Sequence, residues 1–73
     1  MINDLKLKAK MVEKGYSQLD MADYLNISYF TFNLKINNKR LFTLLEVQKI
    51  SELLGLTEQE IIIIFFTNNV YES

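Results

Sequence analysis

The residues able to do chemistry are few and of one kind. The chain has no His and no Cys. That removes the commonest general base, the commonest metal ligand, and any disulfide or thiolate site. Glu58 and Glu60 read as acids at a helix start rather than as a catalytic pair. Nothing resembles a nucleophile–base pair, a glycine-rich phosphate cradle or a metal cluster, so no enzyme, cofactor or metal is expected. What remains is "ISYFTFNLKIN", residues 27–37, and the cations that follow it. Ser28, Tyr29, Thr31 and Asn33 offer hydroxyls and an amide, Phe30 and Leu34 offer apolar surface, and Lys39 and Arg40 offer charge. Such groups bind; they do not make or break bonds.

The chain that must position them has 73 residues and is 49% hydrophobic, enough for one small domain and one modest core. Net charge is −1, but it is divided unevenly. Residues 1–42 carry seven cations against four acids, whereas residues 43–73 carry one cation against five acids. No acid lies between Asp23 and Glu46, so the opening stretch belongs to the basic end. The longest apolar run, Ile61 to Phe66, falls far short of the roughly 18 residues that span a bilayer. With no visible secretory signal either, a soluble cytoplasmic protein is expected.

Apolar spacing and punctuation predict five helices. The first runs from about Asn3 to Lys14 and stops at Gly15. Leu5, Ala9 and Val12 lie on one of its faces, Leu7 and Met11 on an adjoining one, and Lys6, Lys10 and Glu13 point outward into water. Ser17 caps a second helix, about Gln18 to Leu25, with Asp20 completing a capping-box pattern and Leu19, Ala22 and Leu25 buried. Ser28 caps a third, about Tyr29 to Ile36, burying Phe32 and Ile36; Asn37-Asn38 is a turn signal. Thr43 caps a fourth whose inward stripe is Leu44, Val47, Ile50 and Leu54, ending at Gly55. In "TEQEIIIIFF" the isoleucines and phenylalanines favour strand, yet Thr57 and Glu60 form a capping box, and a fifth helix is predicted. The division expected is a domain over 1–66 and a polar tail over 67–73, loose or forming a short edge strand.

Two short helices joined across Leu25-Asn26-Ile27, with small Ala22 where they cross, form a helix-turn-helix pattern. The stretch from Glu13 to Ile61 resembles the lambda-repressor-like family of phage repressors and Cro-type regulators. It is closest in style to small phage proteins in which "NISxxTxNxKIN" precedes a capped "FTLxEV" helix. The resemblance implies an all-α, five-helix domain whose second and third helices form the motif. It also implies sequence-specific binding to a double-stranded DNA operator, usually as a two-fold dimer with half-sites roughly 34–36 Å apart. On that reading Gln18 contacts phosphate. Ser28, Tyr29, Phe30, Asn33 and Leu34 face base edges, Thr31 lies nearer the backbone, and Lys35, Lys39 and Arg40 supply positive charge along the DNA.

The chain departs from the family pattern at five positions. Asn26 and Asn38 stand where relatives often have Gly, a substitution that Asn's tolerance of left-handed backbone allows. Tyr29, Phe30 and Leu34 stand where relatives carry Ser, Arg, Lys or Gln. Among the outward residues Asn33 can pair bidentately with adenine, whereas apolar groups discriminate bases weakly. A second reading therefore stands beside the first: a modulator or antirepressor that offers this aromatic face to a repressor or other protein. A shifted helix register that buries Tyr29, Phe30 and Leu34 is the bland alternative to both. Because Ile61 through Phe66 is apolar all round, a homodimer through Ile62, Ile63, Phe65 and Phe66 is expected as well.

Overall fold

Each helix begins at a side chain that satisfies a backbone donor which would otherwise lack a partner. In the computed structural model, which describes residues 1–66, α1 spans Asp4–Lys14, α2 Gln18–Leu25, α3 Tyr29–Ile36 and α4 Leu44–Leu54. The fifth helix, α5, spans Glu58–Ile61 and runs on as a π-helical turn over Ile62–Phe66. Asn3, Ser17, Ser28, Thr43 and Thr57 cap the five starts. Ser17 with Asp20, Thr43 with Glu46, and Thr57 with Glu60 complete reciprocal capping boxes. No strand occurs among the described residues, and the expected tail over 67–73 lies outside them.

Asn26 ends α2 at φ 60°, and Asn38 follows α3 at φ 62°, so both asparagines take the left-handed backbone that glycine usually supplies. At the first of these turns the Ile27 N–H donates to the Ala22 carbonyl, closing the link between α2 and α3 within three residues. Ala22 is fully buried there. A larger side chain at this position would push the two helices apart.

One core joins all five helices: Leu7 and Met11, Met21 and Leu25, Phe32 and Ile36, Val47, Ile50 and Leu54, then Ile64 and Phe65. Phe42, in the connection between α3 and α4, meets Phe32 edge-on at 5.9 Å and Phe65 at 6.0 Å. These T-shaped contacts tie the middle of the chain to its last described turn.

The burial pattern corrects the sequence reading on three helices. In α1 the inward pair is Leu7 and Met11, while Leu5 and Val12 remain 75% and 79% exposed and Ala9 faces out too. Two apolar stripes compete on this helix, and long-range contacts select one of them. Lys10, expected in water, lies beside the selected stripe and pairs with Glu60 at 2.8 Å, while the Asn3 N–H donates to the Ile64 carbonyl at 2.7 Å. In α2 Met21 is buried in place of Leu19. In α4 Leu44 is exposed, because it sits in the first turn at the edge of the stripe, and buried Ser51 satisfies its hydroxyl on the Val47 carbonyl at 2.7 Å.

The Lys10–Glu60 contact gives stability a defined pH dependence. The hydrogen bond from Lys10, helped by the Thr57 backbone N–H, holds the Glu60 carboxyl at about 2, down from its ordinary 4.5. A depressed carboxylate stabilises the fold above its unfolded value and loses that contribution as pH falls through the folded one. Thermal unfolding followed from pH 5 to pH 2 should therefore lose stability progressively between about 4.5 and about 2. In Glu60→Gln this part of the acid profile is expected to vanish; an unchanged profile would assign the loss to other groups.

Candidate functional site

The surface built around α3 follows from its cap. Ser28 lies just outside the helix and accepts the Thr31 N–H at 3.0 Å, and its hydroxyl also donates to Thr31 Oγ1 at 2.9 Å. With Phe32 and Ile36 turned inward, the 3.6-residue period sets Phe30 and Leu34 on the far side of the helix, while Tyr29, in the first turn, and Asn33 lie at the edge of the core-facing side. Tyr29 is 51% exposed and Phe30 69%. Thr31, Asn33 and Leu34 are half-buried at the margins of this face. The aromatic pair therefore stands on the surface, and the register that would bury it is not the one adopted.

Asn33 is not isolated on this face. Its Nδ2 donates to Gln18 Oε1 at 3.2 Å, linking the middle of α3 to the first residue of α2. One amide N–H is thereby occupied, leaving Oδ1 and the second N–H as the acceptor and donor that an adenine edge requires. The free end of Gln18 retains donors at the start of α2, where helix N–H groups favour an anion. Two residues separated by 15 positions in the chain thus meet as one polar unit.

Lys39 and Arg40 follow α3 and are exposed. The turn that carries them is anchored on both sides. Asn37 Nδ2 donates to the Asn33 carbonyl at 2.9 Å, and the Lys39 N–H donates to the Leu34 carbonyl at 2.8 Å. Asn38 grips the N-terminal segment twice: its Oδ1 accepts the Ile2 N–H at 2.7 Å and its Nδ2 donates to the Ile2 carbonyl at 3.2 Å. Lys8 of α1 reaches the same turn, donating to Asn37 Oδ1 at 3.5 Å. Sequence reasoning missed Lys8, Asn37 and Asn38 as parts of this cluster; the Asn-Asn turn signal was the one clue.

Lys35 does not belong to the exposed charge. It is 7% exposed, and its Nζ donates to Glu46 Oε1, the oxygen that also accepts the Thr43 N–H at 2.8 Å. The Phe42 ring centroid lies 6.0 Å from the ammonium. Burial pushes the Glu46 carboxyl up, but the hydrogen bonds from Lys35 and from the Thr43 backbone outweigh it and hold the group below its ordinary value. Lys35 points back to α4 because the core-facing side of α3 carries its stem inward.

A second surface lies away from α3. Along α4 and the fifth helix runs an open apolar groove of about 650 Å³ lined by Leu44, Val47, Ser51, Leu56, Ile61 and Phe66, with Gln48 and Glu52 on its margin. Of the residues expected at a dimer interface, Ile62, Ile63 and Phe66 are exposed, whereas Phe65 is buried in the chain's own core against Phe42. Phe65 is inward because it follows Ile64 on the side of the last turn that closes over α1.

Among the described residues, no His, Cys, Asp or Glu side chains gather in a group of three or more that could hold a metal ion. No helix among them is long and apolar enough to cross a membrane. Comparison with protein-family models, with curated proteins and with solved structures finds no match to this chain.

Proposed function

We propose that this chain is a sequence-specific, DNA-binding transcriptional regulator with a lambda-repressor-like domain, in which α2 and α3 act as a helix-turn-helix. It binds rather than catalyses, and works in the cytoplasm without a cofactor. The observation that carries the reading is the position of α3: a capped helix with an outward polar and aromatic face, beside the exposed cations Lys39 and Arg40. Laid in a major groove, Tyr29, Phe30 and Asn33 meet base edges. Gln18, Lys39 and Arg40 meet phosphates, which set register while base contacts specify. Lys35 has no direct part in this; it fixes α3 against α4. Phage or prophage regulators of the Cro and repressor type are the kind of protein intended. A second copy, engaged through the exposed part of the fifth helix, would supply the second half-site.

Binding to random duplex DNA at low salt tests the reading, because phosphate neutralisation supplies most non-specific affinity. Measurable binding that falls steeply with salt supports it; no binding at low salt refutes it. Asn33→Ala should cost about 1–3 kcal/mol on the preferred duplex and relax one base position. Lys39→Ala should weaken all duplexes alike and reduce the salt slope by about one.

One observation favours a second reading. Phe30 is largely exposed and adjoins Tyr29, and aromatic side chains in that setting commonly anchor protein interfaces. If the partner is a repressor or other protein, Phe30→Ala abolishes the complex while Asn33→Ala and Lys39→Ala matter little.

A further inference from the structure

Two apolar surfaces have no partner among the described residues. The first is the outer stripe of α1, where Leu5, Ala9 and Val12 stack at i, i+4 and i+7 on the side away from Leu7 and Met11. The second is the groove between α4 and the fifth helix. Their margins differ in charge. Lys6, Lys8 and Glu13 flank the stripe, with Lys8 paired to Asp4 at 3.6 Å, and α1 as a whole carries four lysines against two acids. Glu52 lies on the groove, and Glu58 borders the adjoining depression along α5 that Ile62 and Phe66 also line.

We propose that the groove receives the α1 stripe of a second copy of this chain. Leu5 and Val12 would be the anchors of a helix-in-groove contact, and the small Ala9 between them lets the helix axis come close to the groove floor. The charges select this pairing over its rivals. Groove against groove would set Glu52 and Glu58 against their own copies, and like charges across an interface are costly. Stripe against groove sets lysines against glutamates and aligns the basic half of one copy with the acidic half of the next. The inference rests on the self-association proposed above and names what meets the fifth helix; it does not depend on DNA binding.

Sedimentation of the full chain over a wide concentration range tests it with two variants, Val12→Glu in the stripe and Leu44→Glu in the groove. Both positions are more than three-quarters exposed, so the fold should persist, and thermal unfolding checks that it does. Leu5→Glu is a second stripe variant should Val12→Glu unfold. Each variant alone is expected to weaken self-association by about tenfold or more, as truncating one anchor of an interface does. An equal mixture of the two should regain a complex, because the intact groove of one chain can take the intact stripe of the other. The contact is overturned if the wild-type chain stays monomeric throughout. It is also overturned if the mixture fails to regain association. If Val12→Glu associates as the wild type does, the fifth helices pair with each other: the proposed dimer stands and this contact falls.

Discussion

Lys35→Ala is expected to destabilise the domain by about 3–5 kcal/mol, the range for removing one partner of a buried ion pair. The side chains of Lys35 and Glu46 are 8% and 13% exposed, so water cannot replace the lost ammonium at little cost. Its loss leaves the Glu46 carboxylate with the Thr43 backbone as its remaining donor and removes the lysine stem from against Phe42. For a small domain each kcal/mol shifts the midpoint by about 4–8 °C, so thermal unfolding reads the effect directly. Lys35→Met with Glu46→Gln together should recover most of the loss. Methionine refills the volume, and a neutral amide can still accept the Thr43 N–H without a buried charge. The sign of the pH dependence follows from the depressed Glu46 carboxyl. Its contribution is present above the ordinary carboxylate range and lost as pH falls through the lower folded value. In Lys35→Met the share of that acid-dependent component owed to the lysine should be lost. A single variant as stable as the wild type would mean that the pair opens to solvent.

The second large effect separates two phenylalanines two residues apart. Phe32→Ala should cost about 3–5 kcal/mol, since Phe32 is fully buried and stacks edge-on with Phe42. That is a large share of the roughly 5–15 kcal/mol that holds a domain folded. Phe30→Ala should leave the midpoint within about 0.5 kcal/mol of wild type, as surface substitutions usually do, while altering whatever the face binds. Denaturant titration of both variants checks this. Equal destabilisation by the two would show that the outward face of α3 is misassigned.

These two residues also mark what was legible in the sequence. The bounds of α2 and α3, their serine caps, the left-handed asparagines and the inward pair Phe32 and Ile36 all follow from short-range rules, and all could be read directly. The misreadings arise where two local answers are nearly equal and a distant residue decides. Leu5, Ala9 and Val12 formed as good a stripe as Leu7 and Met11; packing against the other helices buries the second pair, and Lys10 beside it meets Glu60. Lys35 looked like surface charge because its partner lies 11 residues on, across the α3–α4 turn. The Asn33–Gln18 contact and the burial of Phe65 likewise exist only once helices have packed. No feature of "IIIIFF" foretold a π-helical turn.

The grip of Asn38 on Ile2, with the Asn3 amide on Ile64, reaches beyond the site it borders. Short segments outside helices usually open at little free-energy cost while the rest stays folded. Here the segment before α1 is fastened at once to the turn bearing Lys39 and Arg40 and to the last helix, closing two long noncovalent loops. Releasing that segment would remove hydrogen bonds from both the cationic turn and the fifth helix, so amide exchange should show the three regions opening together. The turn carrying the exposed cations is thereby tied to the same segment that holds the fifth helix.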